Sequence, residues 1–240
     1  MDKLERLAQL KEAWKNCTRC SLSETRQRLV FGDGNPDAHI LVIGEAPGET
    51  EDATGRAFQG AAGSKILSRF LRITKLDKDK DLYYTNIVSC RPKVDVVDDR
   101  TGMTYRENRV PSKKERESCR ERLHSIIYIV DPLIIVALGK TVLQALTGNP
   151  TPIAKIRGDI QTLHMAGLQT EIRYPVLPMY CPTFLSRTYN YLPTGPWGET
   201  SQDFSNLCQI VDYLRRVYYA IEPPERGERE NEESVEDGED

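Results

Sequence analysis

No run of about 18 apolar residues occurs anywhere in the chain, which excludes a helix able to cross a bilayer. The opening residues carry no apolar stretch of the secretory kind, so the cytoplasm (a host's, for a viral protein) is the expected compartment. There is no internal repeat to suggest a solenoid or an array. A phosphate-binding loop is missing too. Gly139-Lys140-Thr141 imitates its end, but the earlier glycine that the pattern needs would fall at Ile134, inside an apolar run. That removes nucleotide hydrolysis of the P-loop kind.

What is present is a chain of 240 residues, 39% of them apolar, enough for one sizeable core. We read it as one domain, residues 1–220, followed by a tail, residues 221–240. The net charge of -3 hides an asymmetry. The tail holds ten acidic side chains against Arg226 and Arg229, and the body holds 31 basic against 26 acidic residues, a charge of +5. A mildly basic body is compatible with a nucleic-acid partner. The tail has almost no apolar residues and is predicted to be disordered, either as a solubilising terminus or as a segment that binds a protein partner or mimics DNA. Six cysteines in a reducing compartment suggest metal ligands or reactive thiols more than disulfides.

The organising stretch runs from Gly44 to Gly63. It follows the apolar run Ile40-Leu41-Val42-Ile43 and precedes the helical pattern Ile66, Leu67, Phe70, Leu71, so it reads as the crossing from a buried strand to a helix, where α/β proteins hold ligands. Its glycines permit close approaches, and Glu45, Glu49, Glu51 and Asp52 bring carboxylates to the strand's end. Before it, a helix with Leu4, Leu7, Leu10 and Trp14 on one face leads into Cys17 and Cys20. Their spacing lets two sulfurs reach one metal centre, although a redox pair and a zinc knuckle share it.

Further strands are predicted at 82–88, 133–138 and 175–180, with a long surface loop or small hairpin over 93–109. Ser112 and Glu115 form a capping-box signature for a helix carrying Cys119, which Pro132 ends. The region 151–171 reads as a loop with one edge strand, and a final helix spans about residues 201–220. Strands alternating with helices point to a parallel-containing sheet with helices on both faces.

Several pieces occur in one order: Gly44-Glu45-Ala46-Pro47-Gly48-Glu49 with Glu51-Asp52; Gly55-Arg56, Phe58, Gly60 and Gly63; Thr85-Asn86 and Cys90-Arg91-Pro92; Asn108-Arg109 and Pro111-Ser112 ahead of Cys119; and Ile135-Val136-Ala137-Leu138-Gly139. Together they resemble the family 4 uracil-DNA glycosylases, the iron-sulfur branch of that superfamily, over most of residues 1–190. The resemblance implies an α/β fold, three-layer α/β/α, with a central, mostly parallel four-stranded sheet. It implies a monomer that acts on uracil-containing DNA in base excision repair, hydrolysing the N-glycosidic bond and leaving an abasic site. It also implies a 4Fe-4S cluster on Cys17, Cys20, Cys90 and Cys119, with zinc on the same four residues as the alternative.

By the same resemblance Phe58 stacks on the flipped base, and Asn86 accepts from uracil N3 and donates to O4. Glu45 and Asp52 are expected to stabilise the positive sugar and position water, with Glu49 and Glu51 solvated, and the backbone of Gly44, Ala46 and Gly48 supplies N–H donors. Phe184 and Leu185 are expected in the wedge that fills the gap in the helix, with Arg187 on phosphate. Lys65, Arg69, Arg91, Lys93, Arg109, Lys113 and Lys114 are further candidates for backbone contact.

Two departures stand out. The gap from Cys90 to Cys119 is longer than usual for the family, and the late motif, His-Pro in the family, is Cys181-Pro182 here. A thiol is a poor hydrogen-bond donor, and losing one donor to the leaving uracil commonly costs about two to three orders of magnitude in rate. The chain's three histidines, His39, His124 and His164, lie in no equivalent motif. The leading expectation is an active glycosylase. The alternative is a glycosylase-like DNA-binding protein, catalytically weak or inactive, acting in replication or regulation.

Overall fold

The apolar runs and amphipathic segments assemble into a sheet covered on both faces, in a computed structural model that describes residues 1–167, 171–188 and 195–218. The chain starts with α1 (Lys3–Trp14) and the single turn α2 (Leu22–Thr25). It enters the sheet at β1 (Asp33–Gly34) and β2 (Ile40–Gly44), then crosses through α3 (Glu49–Thr54) and α4 (Ala61–Thr74) to β3 (Leu82–Asn86). A hairpin, β4 (Lys93–Val97) and β5 (Thr104–Asn108), precedes α5 (Lys113–Val130), which returns the chain to β6 (Ile134–Leu138). Then follow α6 (Lys140–Thr147), α7 (Ile153–Ile156), β7 (Gln161–Ala166), β8 (Glu171–Met179), α8 (Pro182–Arg187) and α9 (Pro196–Tyr218). The acidic tail, 221–240, lies outside the described residues, and none of the described helices is long and apolar enough to cross a membrane.

The strand order is β1-β3-β2-β6-β8-β7, with the central four parallel and both edges antiparallel. The expected four-stranded parallel sheet is therefore the middle of a six-stranded mixed one. Two residues of β1 cannot display a periodicity, which is why it escapes a pattern reading. β7 is the edge strand expected within 151–171, and it alternates buried Leu163 and Met165 with exposed Thr162 and His164 because one face is uncovered.

Alternate residues of the central strands serve two cores. Ile40, Val42, Ile134, Val136 and Leu177 pack with Phe70, Trp197 and Phe204 from α4 and α9, while Leu41, Ile43, Ile135, Ala137 and Val176 pack with Leu123, Ile126 and Val142 from α5 and α6. Each such side chain contributes about 1.5–3 kcal/mol on burial, so strands covered on both faces read as unbroken apolar runs. In α1, Leu7 and Trp14 are buried but Leu4, expected on the same stripe, is 65% exposed. Lys3 points inward, its Nζ donating to the Val130 carbonyl at 2.8 Å, and Leu4, one helical step of about 100° further, turns out.

This topology decides where a ligand can sit. From β2 the chain moves to β3 on one side, and from β6 it moves to β8 on the other, so the loops leaving β2 and β6 diverge. The crevice at such a reversal, at the carboxyl ends of the strands, is where open α/β sheets bind ligands. The insertion after Cys90 is the small hairpin, paired from Lys93↔Asn108 to Val97↔Thr104 and set apart from the main sheet.

The start of α5 has the capping box anticipated from Ser112 and Glu115, and Arg109 grips the same Glu115 with two hydrogen bonds, at 2.9 and 2.7 Å. Those bonds from Arg109, helped by the Ser112 N–H, pull the Glu115 carboxyl down from 4.5 to about 2. A carboxylate depressed on folding adds stability above its unfolded value and loses it as pH falls toward its folded one. Urea unfolding of the wild type should therefore weaken more steeply than that of Glu115→Gln between pH 4.5 and about 2. Parallel curves would mean that the pair contributes nothing.

Candidate active site and metal centre

β2 and β3 end side by side at Gly44 and Asn86, register partners at the carboxyl edge of the sheet. A Cβ on Gly44 would stand 2.4 Å from Asn86 Oδ1 and 2.8 Å from Phe58 Cζ. Only glycine leaves room for the amide and the ring to meet there. Phe58 has a φ of 55°, a left-handed backbone that bulky residues rarely adopt, and its ring leans on Tyr84 with centroids 5.5 Å apart. Such strain costs about 1–3 kcal/mol, persists only where the surroundings over-determine it, and clusters at functional sites. Asn86 is 4% exposed, and its side-chain amide has no protein partner among the described residues. An amide so placed has donors and an acceptor for a ligand to satisfy.

The loop above this point is clasped by a carboxylate expected in solvent. Glu51 is buried, accepting from Gly48 N–H at 3.1 Å and from Gly60 N–H at 2.7 Å. A Cβ on either glycine would meet that carboxylate, at 2.8 and 2.9 Å respectively. The Gly48 N–H is thus taken, and Pro47 has none.

Asp52 also departs from expectation. It is 0% exposed, with Oδ1 accepting from the backbone of Gln27 and Arg28 and Oδ2 3.5 Å from Lys93 Nζ. Both oxygens are engaged inside the protein, so Asp52 anchors neighbouring chain and is not free to position water. Glu45, half-exposed, has no side-chain hydrogen bond or ion pair among the described residues. Glu49 is exposed as expected but receives Arg91 Nη1 at 3.2 Å. Arg91 is buried and also donates to Asn108 Oδ1 at 2.6 Å and the Arg106 carbonyl at 3.1 Å, pinning the hairpin to the loop. Arg91, Lys93 and Arg109 are therefore internal ties, while Lys65, Arg69, Lys113 and Lys114 remain exposed.

The other wall comes from β6 and β8. Gly139, with φ of 96°, starts α6, and Cys181 caps α8; a Cβ on Gly139 would stand 3.4 Å from the Cys181 Cβ. In α8 the two apolar residues expected in the wedge separate. Phe184 is 44% exposed and stacks on Tyr180, centroids 5.1 Å apart, whereas Leu185 is 1% exposed in the core beneath Trp197. Leu185 is thus a core residue, and Arg187 is exposed in the last turn. His39 precedes β2 at the opposite edge of the sheet, His124 lies partly buried on α5, and His164 contacts Glu171 at 2.7 Å on the edge strands.

Cys17, Cys20, Cys90 and Cys119 line one small pocket, together with Trp14, Arg26 and Ser89. Among the described residues no cluster of ligand side chains stands at the spacing for a single ion. Burial pushes the Cys90 thiol up to about 11, against the pull of Arg26, whose Nη1 is 3.6 Å from the sulfur and donates to the Cys17 carbonyl at 2.7 Å. The buried Ser89 hydroxyl in this wall has no hydrogen-bond partner among the described residues. Sequence reasoning missed one residue here: Arg122, fully buried on α5, holds the Asn86 carbonyl. Its signal was a charge on the apolar face that also carries Cys119, Leu123 and Ile126.

The model of the uracil DNA glycosylase superfamily matches residues 31–207. The chain is 36% identical over 177 residues to a type-4 uracil-DNA glycosylase of Thermotoga maritima, covering 73% of this chain and 81% of that protein. A type-4 uracil-DNA glycosylase of Sulfurisphaera tokodaii is 37% identical over 162 residues, 66% of each chain. One of Pyrobaculum aerophilum is 32% identical over 170 residues, 69% of this chain and 79% of the relative.

Gly44→Ala should keep the fold, since the nearest obstacles are the ends of two side chains, yet push the Asn86 amide and Phe58 ring apart. Calorimetric titration should show free uracil binding weakened by about tenfold or more, a difference of at least roughly 1.4 kcal/mol. Unchanged affinity would mean that base and glycine do not share this pocket.

Proposed function

This chain belongs to the uracil-DNA glycosylase superfamily, and we propose on that premise that it releases uracil from DNA by hydrolysing the N-glycosidic bond. The observation that carries this reading is the meeting of the Asn86 amide and the Phe58 ring over Gly44. A uracil turned out of the helix would lie on Phe58, with N3–H donating to Asn86 Oδ1 and O4 accepting from Nδ2. Cytosine, with an unprotonated N3 and a 4-amino group, would set acceptor against acceptor and donor against donor, and a buried polar site rejects such mismatches strongly.

As the bond from C1′ to N1 breaks, its electron pair leaves with uracil, giving an anion spread over N1 and O2 and a cationic sugar. Water then adds to C1′ and loses a proton. Glu45, the carboxylate of the loop with no internal partner, is assigned to stabilising the sugar and orienting this water, with Asp52 and Glu51 holding the loop. The amides of Glu45 and Ala46 are assigned to the anion. Phe184 is the wedge, and Arg187, Lys65 and Lys113 face phosphate.

We further assign Cys17, Cys20, Cys90 and Cys119 as ligands of a 4Fe-4S cluster. A Cys-x-x-Cys pair with two distant cysteines is a ligand set that a cubane takes, and the unpartnered Ser89 hydroxyl beside it suits a sulfide acceptor. When bound, the cluster staples the segment after α1, the end of β3 and α5 to one another. Anaerobically purified protein should be brown and contain iron; a colourless protein with one zinc per chain would reverse the assignment of the metal.

Cys181 favours a second reading, a scaffold that binds DNA with little catalysis, acting in replication or regulation, because a thiol donates weakly where charge develops. A single-turnover assay on uracil-containing DNA with excess enzyme separates the two. Release by the wild type that drops by about two orders of magnitude or more in Asn86→Ala, and rises in Cys181→His, supports the enzyme. Release appearing only in Cys181→His would establish the binding protein, and wild-type rates in Asn86→Ala would remove Asn86 as the base reader.

A further inference from the structure

Arg122 is a fully buried guanidinium whose bonds all end on neutral atoms. Nη1 donates to the Phe31 carbonyl and to Thr85 Oγ1, both at 3.0 Å, Nη2 donates to the Asn86 carbonyl, and Nε has no partner among the described residues. The described residues place no carboxylate within ion-pair distance of it. A buried charge without a countercharge is strongly disfavoured, and burial pushes this guanidinium below its ordinary value.

Position in sequence supplies the missing charge. Arg122 follows Cys119 by three residues on α5, so both side chains lie on one face of the helix. Neutral thiols would balance nothing. Four thiolates around a cubane leave the centre net negative, beside the buried cation. On the other side, the same guanidinium grips the end of β3, where Asn86 turns its amide toward Gly44, and Thr85 Oγ1 reinforces the grip by donating to Phe31 O at 2.8 Å.

We propose that Arg122 is a positioning residue that joins the two centres: its charge balances the four-cysteine cluster, and its fork of donors sets the β3 end from which Asn86 reads the base. This rests on the assignment of the four cysteines as cluster ligands. The cluster is thereby coupled to base recognition without touching the base. Lysine at this position would keep the charge but not the planar fork that reaches three acceptors.

The test compares cluster-loaded wild type, Arg122→Met and Arg122→Lys at equal iron content. It reads the reduction potential, the rate of bleaching by an oxidant with chelator, and the affinity for free uracil. Arg122→Met should lower the potential, because a nearby cation favours the added electron, bleach severalfold faster, and bind uracil severalfold more weakly. Arg122→Lys should restore potential and bleaching toward wild type while uracil binding stays weak. Wild-type potential and uracil affinity in Arg122→Met would overturn the proposal. Should that variant fail to fold, full wild-type uracil affinity in Arg122→Lys would overturn the positioning role, and a potential shifted as by a lost charge would overturn the balancing role. Wild-type protein free of iron and zinc would instead defeat the assignment of the cysteines.

Discussion

The close approach of the Asn86 amide and the Phe58 ring above Gly44 is the constraint on which the rest of the site depends. Two parallel strands ending in register bring Gly44 and Asn86 together, and the missing Cβ lets an aromatic ring enter from the loop. The ring comes at the cost of a left-handed backbone at Phe58, which the loop must hold in place. A flat apolar surface beside a directional amide is what recognition of one planar base requires.

Holding that loop explains most of its charged residues. Glu51 fills the space between Gly48 and Gly60, Asp52 ties α3 to the chain at Gln27 and Arg28, and Arg91 fastens the hairpin to Glu49. Carboxylates that look interchangeable in sequence are thus divided by their partners. Three are engaged in holding structure, and Glu45 has no side-chain hydrogen bond or ion pair among the described residues. The hairpin inserted after Cys90 does not disturb the cysteine cavity, because its base is pinned by Arg91 and Lys93 on the loop side while Cys90 and Cys119 keep their places at the cavity wall.

Chemically the pocket is uneven. The Asn86 side offers an unpartnered amide beside an aromatic ring, whereas the wall at Gly139 and Cys181 offers a thiol, a weaker donor. In the proposed reaction, stabilisation of the leaving base's charge then falls on backbone amides, whose donation needs no particular side chain. Binding and chemistry are separable in such a site, since recognition of uracil uses one edge of the base and departure of the anion loads the other.

The sequence by itself determined the strand-to-helix loop, the capping box at Ser112 and Glu115, a surface insertion after Cys90, the apolar strands and the cysteine set, together with the family they resemble. These are local matters of periodicity, residue type and spacing, legible wherever a stretch of chain sets its own conformation. Only the tertiary structure decided which carboxylates are free, that Leu185 is core while Phe184 is exposed, that Arg91 and Lys93 are internal ties, and that antiparallel strands close both edges of the sheet. Asp52 looks catalytic until Gln27 and Lys93, 25 and 41 residues away, arrive at its oxygens. Arg122 stands as a charge on an apolar helix face, and its partners Phe31 and Asn86 are 91 and 36 residues away. Burial is a property of partners distant along the chain, and no window of neighbouring residues contains them.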